Sequence, residues 1–214
     1  MRKTLAALAL LMLFPTSPSF AGATKAGDGG NVVSCQTQYS KVVRFFDLVE
    51  EQRFPAYATA LDLSVDVEPD LTSAEFFARA EQRATEALGQ GHPFLKFIEL
   101  AQSWQISPFI FTYHVFHTDD TGFTPFMTPG NCRIENVGYR SRIKDYLELN
   151  LTMWNLLPQK DRVALLLHEA IHRWFASNLY TIAERESVRY LLSPEISIEN
   201  AAKFRHLITV GGLD

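Results

Sequence analysis

The segment over residues 157–178, LPQKDRVALLLHEAIHRWFASN, constrains the fold most because its apolar residues recur at helical spacing. Pro158 stands near the first turn, where a missing backbone N–H costs little. The residues predicted to face the core are Val163, Leu166, Leu167, Ile171, Trp174 and Phe175. A helix this apolar must pack against the body of a domain, and it also carries His168, Glu169 and His172.

The N-terminus has the features of an export signal. Arg2 and Lys3 precede the apolar run TLAALALLMLF, and SFAGA then offers small residues for cleavage, so residues 1–21 are predicted to be a signal peptide. A membrane anchor is the competing interpretation, but the run is too short to span a bilayer and Pro15 and Pro18 follow it. We expect a protein without a membrane anchor after cleavage, located in the periplasm or outside the cell.

Charge and cysteine content limit the possible binding partners and predict a crosslink. Removal of Arg2 and Lys3 changes the formal charge from −4 to −6 and leaves no basic cluster, so we expect no nucleic-acid partner. The two cysteines, Cys35 and Cys132, predict one intrachain disulfide in an oxidising compartment. Two unrelated buried thiols are the alternative.

The mature chain is predicted to form one domain. A small, glycine-rich start predicts a flexible segment over residues 22–34, and no repeat or linker divides residues 35–214. Helical periodicity predicts helices over residues 40–54, 73–88 and 93–104. Thr72 followed by Glu75 predicts a capping box at the start of the second helix.

The middle of the chain has strand-like patterns. In residues 61–71 apolar and polar residues alternate, as in a short strand or an extended connector. Residues 108–118 are rich in aromatic and β-branched residues. Residues 132–154 predict one or two further strands, and helical patterns return from Pro158 to the C-terminus. We therefore predict an α+β fold, in which a small, mostly antiparallel sheet joins a helical N-terminal part to a helical C-terminal part.

His168 and His172 are the candidate metal ligands. They are four residues apart, so they project from one face of a helix one turn apart and can both hold a tetrahedral metal ion. Glu169 stands beside them, where it can take a proton from a metal-bound water, as in a metal-assisted hydrolase. The alternative is a buried helix with histidines at its edge, but a carboxylate on so apolar a segment needs a partner or a role.

The residues from His168 to His172, HEAIH, resemble the His-Glu-x-x-His motif of the zincin metallopeptidases. The resemblance implies a zincin-like C-terminal part, Zn²⁺ held by both histidines, a catalytic Glu169, and a peptide or protein substrate. Arg173 differs from the uncharged residue that the longer consensus prefers. The stretches GGNVVSC and HEAIHR to SVRYLLS also resemble secreted bacterial proteins of an otherwise uncharacterised family.

A zinc site needs a third protein ligand. No histidine follows at metzincin spacing, so the resemblance to gluzincins implies a carboxylate from residues 181–194, after the short connection ASNLY. Thr181 and Glu184 fit a capping box, whereas Glu186 resembles the metal-binding second glutamate of an E-x-E pattern. Glu186 is therefore the preferred third ligand and Glu184 the alternate. A surface pair between Glu186 and Arg189 is the structural alternative.

The favoured function is a secreted or periplasmic zinc-dependent metallopeptidase that hydrolyses peptide bonds through a metal-bound water. An extended peptide is expected to pair with an edge strand over residues 146–151, just before the metal-binding helix. The alternative is a non-catalytic secreted binding or envelope-associated protein on a zincin-like scaffold, with aromatic residues of the middle as its recognition surface. The oxyanion donor stays open among Tyr113, Arg189, Tyr190 and His206.

Overall fold

The structure, a computed structural model, describes a large part of the chain. The described residues are 30–36, 38–49, 68, 70–104, 110–112, 131–140, 147–175, 181–195 and 197–212. Within them, the strands are β1 Asn31–Gln36, β2 Lys41–Phe45, β3 Ile110–Thr112, β4 Cys132–Asn136, β5 Gly138–Arg140 and β6 Leu147–Asn150. The helices are α1 Phe46–Val49, α2 Ser73–Leu88, α3 Leu95–Ser103, α4 Leu151–Leu156, α5 Gln159–Ile171, α6 Thr181–Leu192 and α7 Ile198–Gly211.

The strands form two small sheets. One is antiparallel throughout with the order β2-β1-β4, and the other has the order β3-β6-β5, in which β3 runs parallel to β6 and β5 antiparallel to it. Together with the helices, this arrangement confirms the predicted α+β fold with a mostly antiparallel sheet. Cys35 of β1 lies opposite Cys132 of β4 and is bonded to it, which confirms the predicted disulfide across 97 residues.

The helix predicted over residues 40–54 was wrong. Lys41–Phe45 is strand β2, and only Phe46–Val49 is helical, while residues 50–54 lie outside the described residues. The β-branched Val42 and Val43 suit a strand, and pairing with β1 supplies backbone partners that an isolated segment lacks. Tertiary pairing therefore overrides the helical spacing of the apolar residues.

The N-terminal boundary also differs from the prediction. Residues 31–34, assigned from the sequence to a flexible segment, are the first four residues of β1, the central strand of its sheet. Val32 and Val33 are fully buried there, because successive side chains point to opposite faces of the sheet and each of the two packs in its own hydrophobic cluster. The signal peptide and residues 22–29 lie outside the described residues.

Other local predictions match the structure. Thr72 and Glu75 form the capping box of α2, with hydrogen bonds in both directions, and α3 lies within its predicted range. The strand prediction for residues 132–154 was right only in part, since their described part holds three strands rather than one or two, and residues 151–154 are helical. The last strand ends at Asn150 because its side chain caps α4 by accepting from the Met153 N–H. Of the predicted strands, most of residues 61–71 and 108–118 lies outside the described part.

Helix α5 lies at the centre of the fold. It packs against α2, α3, α6 and β2, so it is buried on all sides rather than on one face. Its fully or almost fully buried apolar residues are Val163, Ala164, Leu165, Leu166, Leu167, Ala170 and Ile171. Among the described residues, none of the helices has the length and apolar character needed to cross a membrane.

Candidate functional site

The His-Glu-x-x-His segment forms the C-terminal end of α5. His168 and Glu169 lie in the last turn, and His172 follows with a helical backbone whose N–H donates to the His168 carbonyl at 2.9 Å. The side chains are buried, with exposures of 4% for His168, 1% for Glu169 and 7% for His172. The histidines therefore keep the one-turn spacing but lie inside the protein, not at the edge of the helix.

His168 is held by a carboxylate from a distant part of the sequence. Its Nδ1 lies 2.8 Å from Oδ2 of Asp47 in α1, and the Phe45 ring packs edge-on against the imidazole. Burial lowers the pKa of His168, but the negative charge of Asp47 and its hydrogen bond outweigh burial and raise that pKa to about 10. Asp47 therefore stabilises positive charge on this imidazole, whether a proton or a metal ion supplies it.

The Asp47 carboxylate is kept ionised by its neighbours. Burial raises its pKa, but the nearby charges of His168, Arg185 and Arg189 lower it below its usual value overall. Arg185 Nε lies 3.6 Å from Asp47 Oδ1, and an Arg189 N–H donates to the Asp47 backbone carbonyl at 3.2 Å. Contacts from α6 thus position Asp47, and Asp47 in turn orients the His168 ring.

His172 has the same kind of partner. Its Nδ1 lies 2.9 Å from Oε1 of Glu184, which is fully buried in α6. The second oxygen of Glu184, Oε2, is also buried and has no hydrogen-bond partner in the described part of the chain. A buried carboxylate oxygen without a partner is costly, and a cation would satisfy it.

Glu186, the preferred third ligand from the sequence, lies elsewhere. Its Oε2 is 2.9 Å from Nζ of Lys203 in α7, so its partner is neither a histidine nor Arg189. Residues two apart on a helix project about 200° from each other, so Glu184 and Glu186 face different surroundings. The structure brings Glu184 to the histidine pair and places Glu186 with Lys203, while the side chain of Thr181 and the connection over residues 176–180 lie outside the described residues.

Glu169 is tied to the start of the folded domain. Its Oε1 accepts a hydrogen bond from the Gly30 N–H at 3.1 Å, and Gly30 directly precedes β1. A Cβ at Gly30 would collide with the buried Leu165 side chain on α5, so the packing here leaves no room for a side chain. This contact orients the carboxylate that the sequence assigns to catalysis.

The donor types fit zinc. Each imidazole has its Nδ1 on a carboxylate, which leaves Nε2 as the ligand atom in the arrangement usual for metal-binding histidines. Two imidazole nitrogens and one carboxylate oxygen are a common ligand set for catalytic zinc. Across the residues that the structure describes, however, no three His, Cys, Asp or Glu side chains already converge on one point.

Sequence reasoning missed Asp47 and Gly30. Asp47 lies in the apolar run FFDLV, and a lone acid in such a run is the one signal that could have found it. Gly30 carried no signal, because its role depends on a backbone N–H that any residue except proline possesses.

The remaining predicted residues have mixed positions. Tyr113 lies outside the described residues, His206 is exposed on α7, and Tyr190 is stacked on Phe204. Strand β6, which includes most of the predicted peptide-binding edge, lies between β3 and β5. That prediction was wrong, since both edges of β6 are paired and no edge is open to a substrate.

Comparison of the chain with protein-family models, with curated proteins and with solved structures finds no match. What the site can do therefore follows from its own residues.

Proposed function

We propose that this protein is an exported zinc-dependent metallopeptidase. The observation that supports this function most is the pairing of both motif histidines with buried carboxylates, Asp47 with His168 and Glu184 with His172. A carboxylate on Nδ1 fixes the tautomer and the ring orientation, and it makes Nε2 a better metal ligand. Asp47 does this for His168, and Glu184 brings a second buried carboxylate to His172.

The proposed zinc ligands are Nε2 of His168, Nε2 of His172 and the carboxylate of Glu184, which would have to leave Nδ1 of His172 to reach a metal ion at Nε2 of the same ring. Glu184 replaces Glu186 as the favoured third ligand because its buried Oε2 lacks a hydrogen-bond partner among the described residues, whereas Glu186 is paired with Lys203. Zinc bound by these atoms would supply a Lewis acid for hydrolysis.

Glu169 is the proposed general base. Its carboxylate takes a proton from the attacking water and later delivers it to the leaving amine. The Gly30 N–H holds Oε1 and so limits the orientations of the carboxylate.

A second candidate function is a non-catalytic binding protein on the same scaffold. The supporting observation is that each histidine is already paired with a buried carboxylate. On this alternative the two pairs stabilise α5 against α1 and α6, and no peptide is cleaved.

Zinc content and peptide hydrolysis, measured on the same preparation, test the proposal. The mature chain is expected to bind one zinc per molecule and to cleave members of a peptide library. Glu169→Gln is expected to retain zinc and lose cleavage, because an amide cannot accept the proton. Zinc binding without any cleavage would favour the binding protein, and a chain that takes up no zinc when supplied with it would refute the proposed site.

A matched pair of variants tests the third ligand. Glu184→Gln is expected to lower zinc affinity by more than about 100-fold, beyond the range caused by losing a residue that only supports a ligand. Glu186→Gln, two residues away, is expected to leave zinc affinity unchanged. The reverse result would make Glu186 the ligand, as the sequence favoured.

A further inference from the structure

A cavity separate from the candidate zinc site lies on the other side of α6 from Glu184. It has a volume of about 200 Å³ and is bounded by α1, α6 and α7. The residues that line it include apolar side chains, Leu48, Phe204 and Leu207, and charged side chains, Glu186, Arg189 and Lys203. At about 30 Å³ per water molecule, this space is roughly that of six or seven waters and below the usual size of pockets for drug-sized ligands.

The charged part of the cavity contains both signs. Lys203 Nζ and Glu186 Oε2 are 2.9 Å apart, and the pair is partly open to solvent, with side-chain exposures of 58% and 24%. Arg189 lies on the same face of α6 as Glu186, three residues further on, and one of its N–H groups donates to the Asp47 carbonyl. Two cations and one carboxylate therefore line a single small space.

This combination offers most contacts to a ligand that carries both charges. An inorganic anion or a simple carboxylic acid would be attracted by Arg189 and Lys203 but repelled by Glu186. A simple amine would be attracted by Glu186 but repelled by Arg189 and Lys203. A small molecule with both a carboxylate and an ammonium group can make favourable contacts with all three charged side chains. The apolar lining residues can contact a hydrocarbon group of the same molecule.

We propose that this cavity binds a free α-amino acid with an apolar side chain. The ligand carboxylate would contact Arg189 and Lys203, its ammonium group would contact Glu186, and its side chain would pack on Leu48, Phe204 and Leu207. The ligand inserts between Glu186 and Lys203. The partly exposed ion pair is then replaced by two contacts, one from Glu186 to the ligand ammonium group and one from Lys203 to the ligand carboxylate. The proposal does not depend on zinc binding or on peptide hydrolysis.

Calorimetric titration with L-leucine and two analogues tests the ligand class. The analogue 4-methylpentanoate lacks the ammonium group, and 3-methylbutylamine lacks the carboxylate. L-leucine is expected to bind saturably, with each analogue at least about tenfold weaker, as expected when one hydrogen bond to a charged group is lost. Equal binding of 4-methylpentanoate and L-leucine, or no saturable binding of L-leucine at millimolar concentration, would overturn the proposal.

Three variants of the full mature chain locate the site. Glu186→Gln is expected to remove the preference for L-leucine over 4-methylpentanoate, and Lys203→Gln to weaken both. Lys96→Gln, at an exposed position on α3, is the control and is expected to change neither. Thermal unfolding of each variant confirms folding. Unchanged binding in both cavity variants would place any amino-acid site elsewhere and contradict the proposal.

Discussion

The two ends of α5 are held by the same neighbouring segment but by different chemistry. Near the N-terminal end, Arg44 Nε donates to both oxygens of Asp161 at 2.9 and 2.7 Å, and the Phe45 N–H also donates to this carboxylate at 3.2 Å. At the C-terminal end, Asp47 holds Nδ1 of His168. Both contacts join the β2–α1 segment to the central helix, and all four side chains are almost fully buried.

The difference shows which end of α5 is able to bind a metal ion. A guanidinium stays protonated at any relevant pH and has donors only, so the pair of Arg44 and Asp161 can position α5 but cannot bind a metal ion. An imidazole that donates from Nδ1 can bind a metal ion through Nε2 once the ion displaces the proton there. Two buried charge pairs of similar geometry therefore have different capacities, and the histidine end alone provides metal-ligand atoms.

The largest expected effect comes from breaking the arginine end. Asp161→Asn should lower the free energy of unfolding by about 3–5 kcal/mol, because it leaves the buried Arg44 without its counter-charge. Urea denaturation measures this loss. The double variant Arg44→Met with Asp161→Asn should be more stable than Asp161→Asn alone, since methionine removes the uncompensated buried charge, while the asparagine of both variants can still accept from the Phe45 N–H. If the double variant is as unstable as the single one, the charge is not what matters at this end.

The histidine end should respond mainly in metal affinity. Asp47→Asn is expected to weaken zinc binding by about 10- to 100-fold, because the amide no longer supplies negative charge to His168. Competition with a chelator measures the change, and the exposed Asp70→Asn provides a control for loss of one negative charge. Equal zinc affinity in Asp47→Asn and the parent chain would mean that both ends of α5 are purely structural.

Gly30 tests whether the first strand supports the site. Gly30→Ala should lower stability by about 1–3 kcal/mol, since the added methyl group collides with Leu165 and must push β1 from α5. Peptide hydrolysis should fall further than zinc content does, because the displaced N–H no longer holds Glu169. Parallel assays of unfolding, zinc and cleavage separate these effects. A variant with unchanged stability and activity would show that the contact is dispensable.

The smallest effect is expected away from both ends of α5. Thr72→Ala removes the cap of α2 and should cost about 1 kcal/mol in the free energy of unfolding without altering zinc affinity. Thr72→Ser keeps a capping hydroxyl and should restore most of the stability. A loss of zinc in Thr72→Ala would show that metal binding follows global stability rather than the contacts at His168 and His172.

Local contacts made much of the structure predictable. The spacing of His168 and His172 follows from helical geometry, and the capping box of Thr72 and Glu75 involves residues three apart. The disulfide could be predicted because the chain contains only two cysteines. Strand β2 could not be predicted in the same way, since its apolar spacing also fits a helix and its conformation depends on pairing with β1.

By itself, the sequence determined an apolar helix with two histidines and a glutamate on adjacent turns, because those relations need only 3.6 residues per turn. Tertiary structure decided which carboxylates support the histidines. Asp47 is 121 residues from His168, and Gly30 is 139 residues from Glu169. The choice of Glu184 beside His172 likewise depends on how α6 is rotated against α5. Contacts over such separations depend on packing of the whole core, which no local pattern specifies.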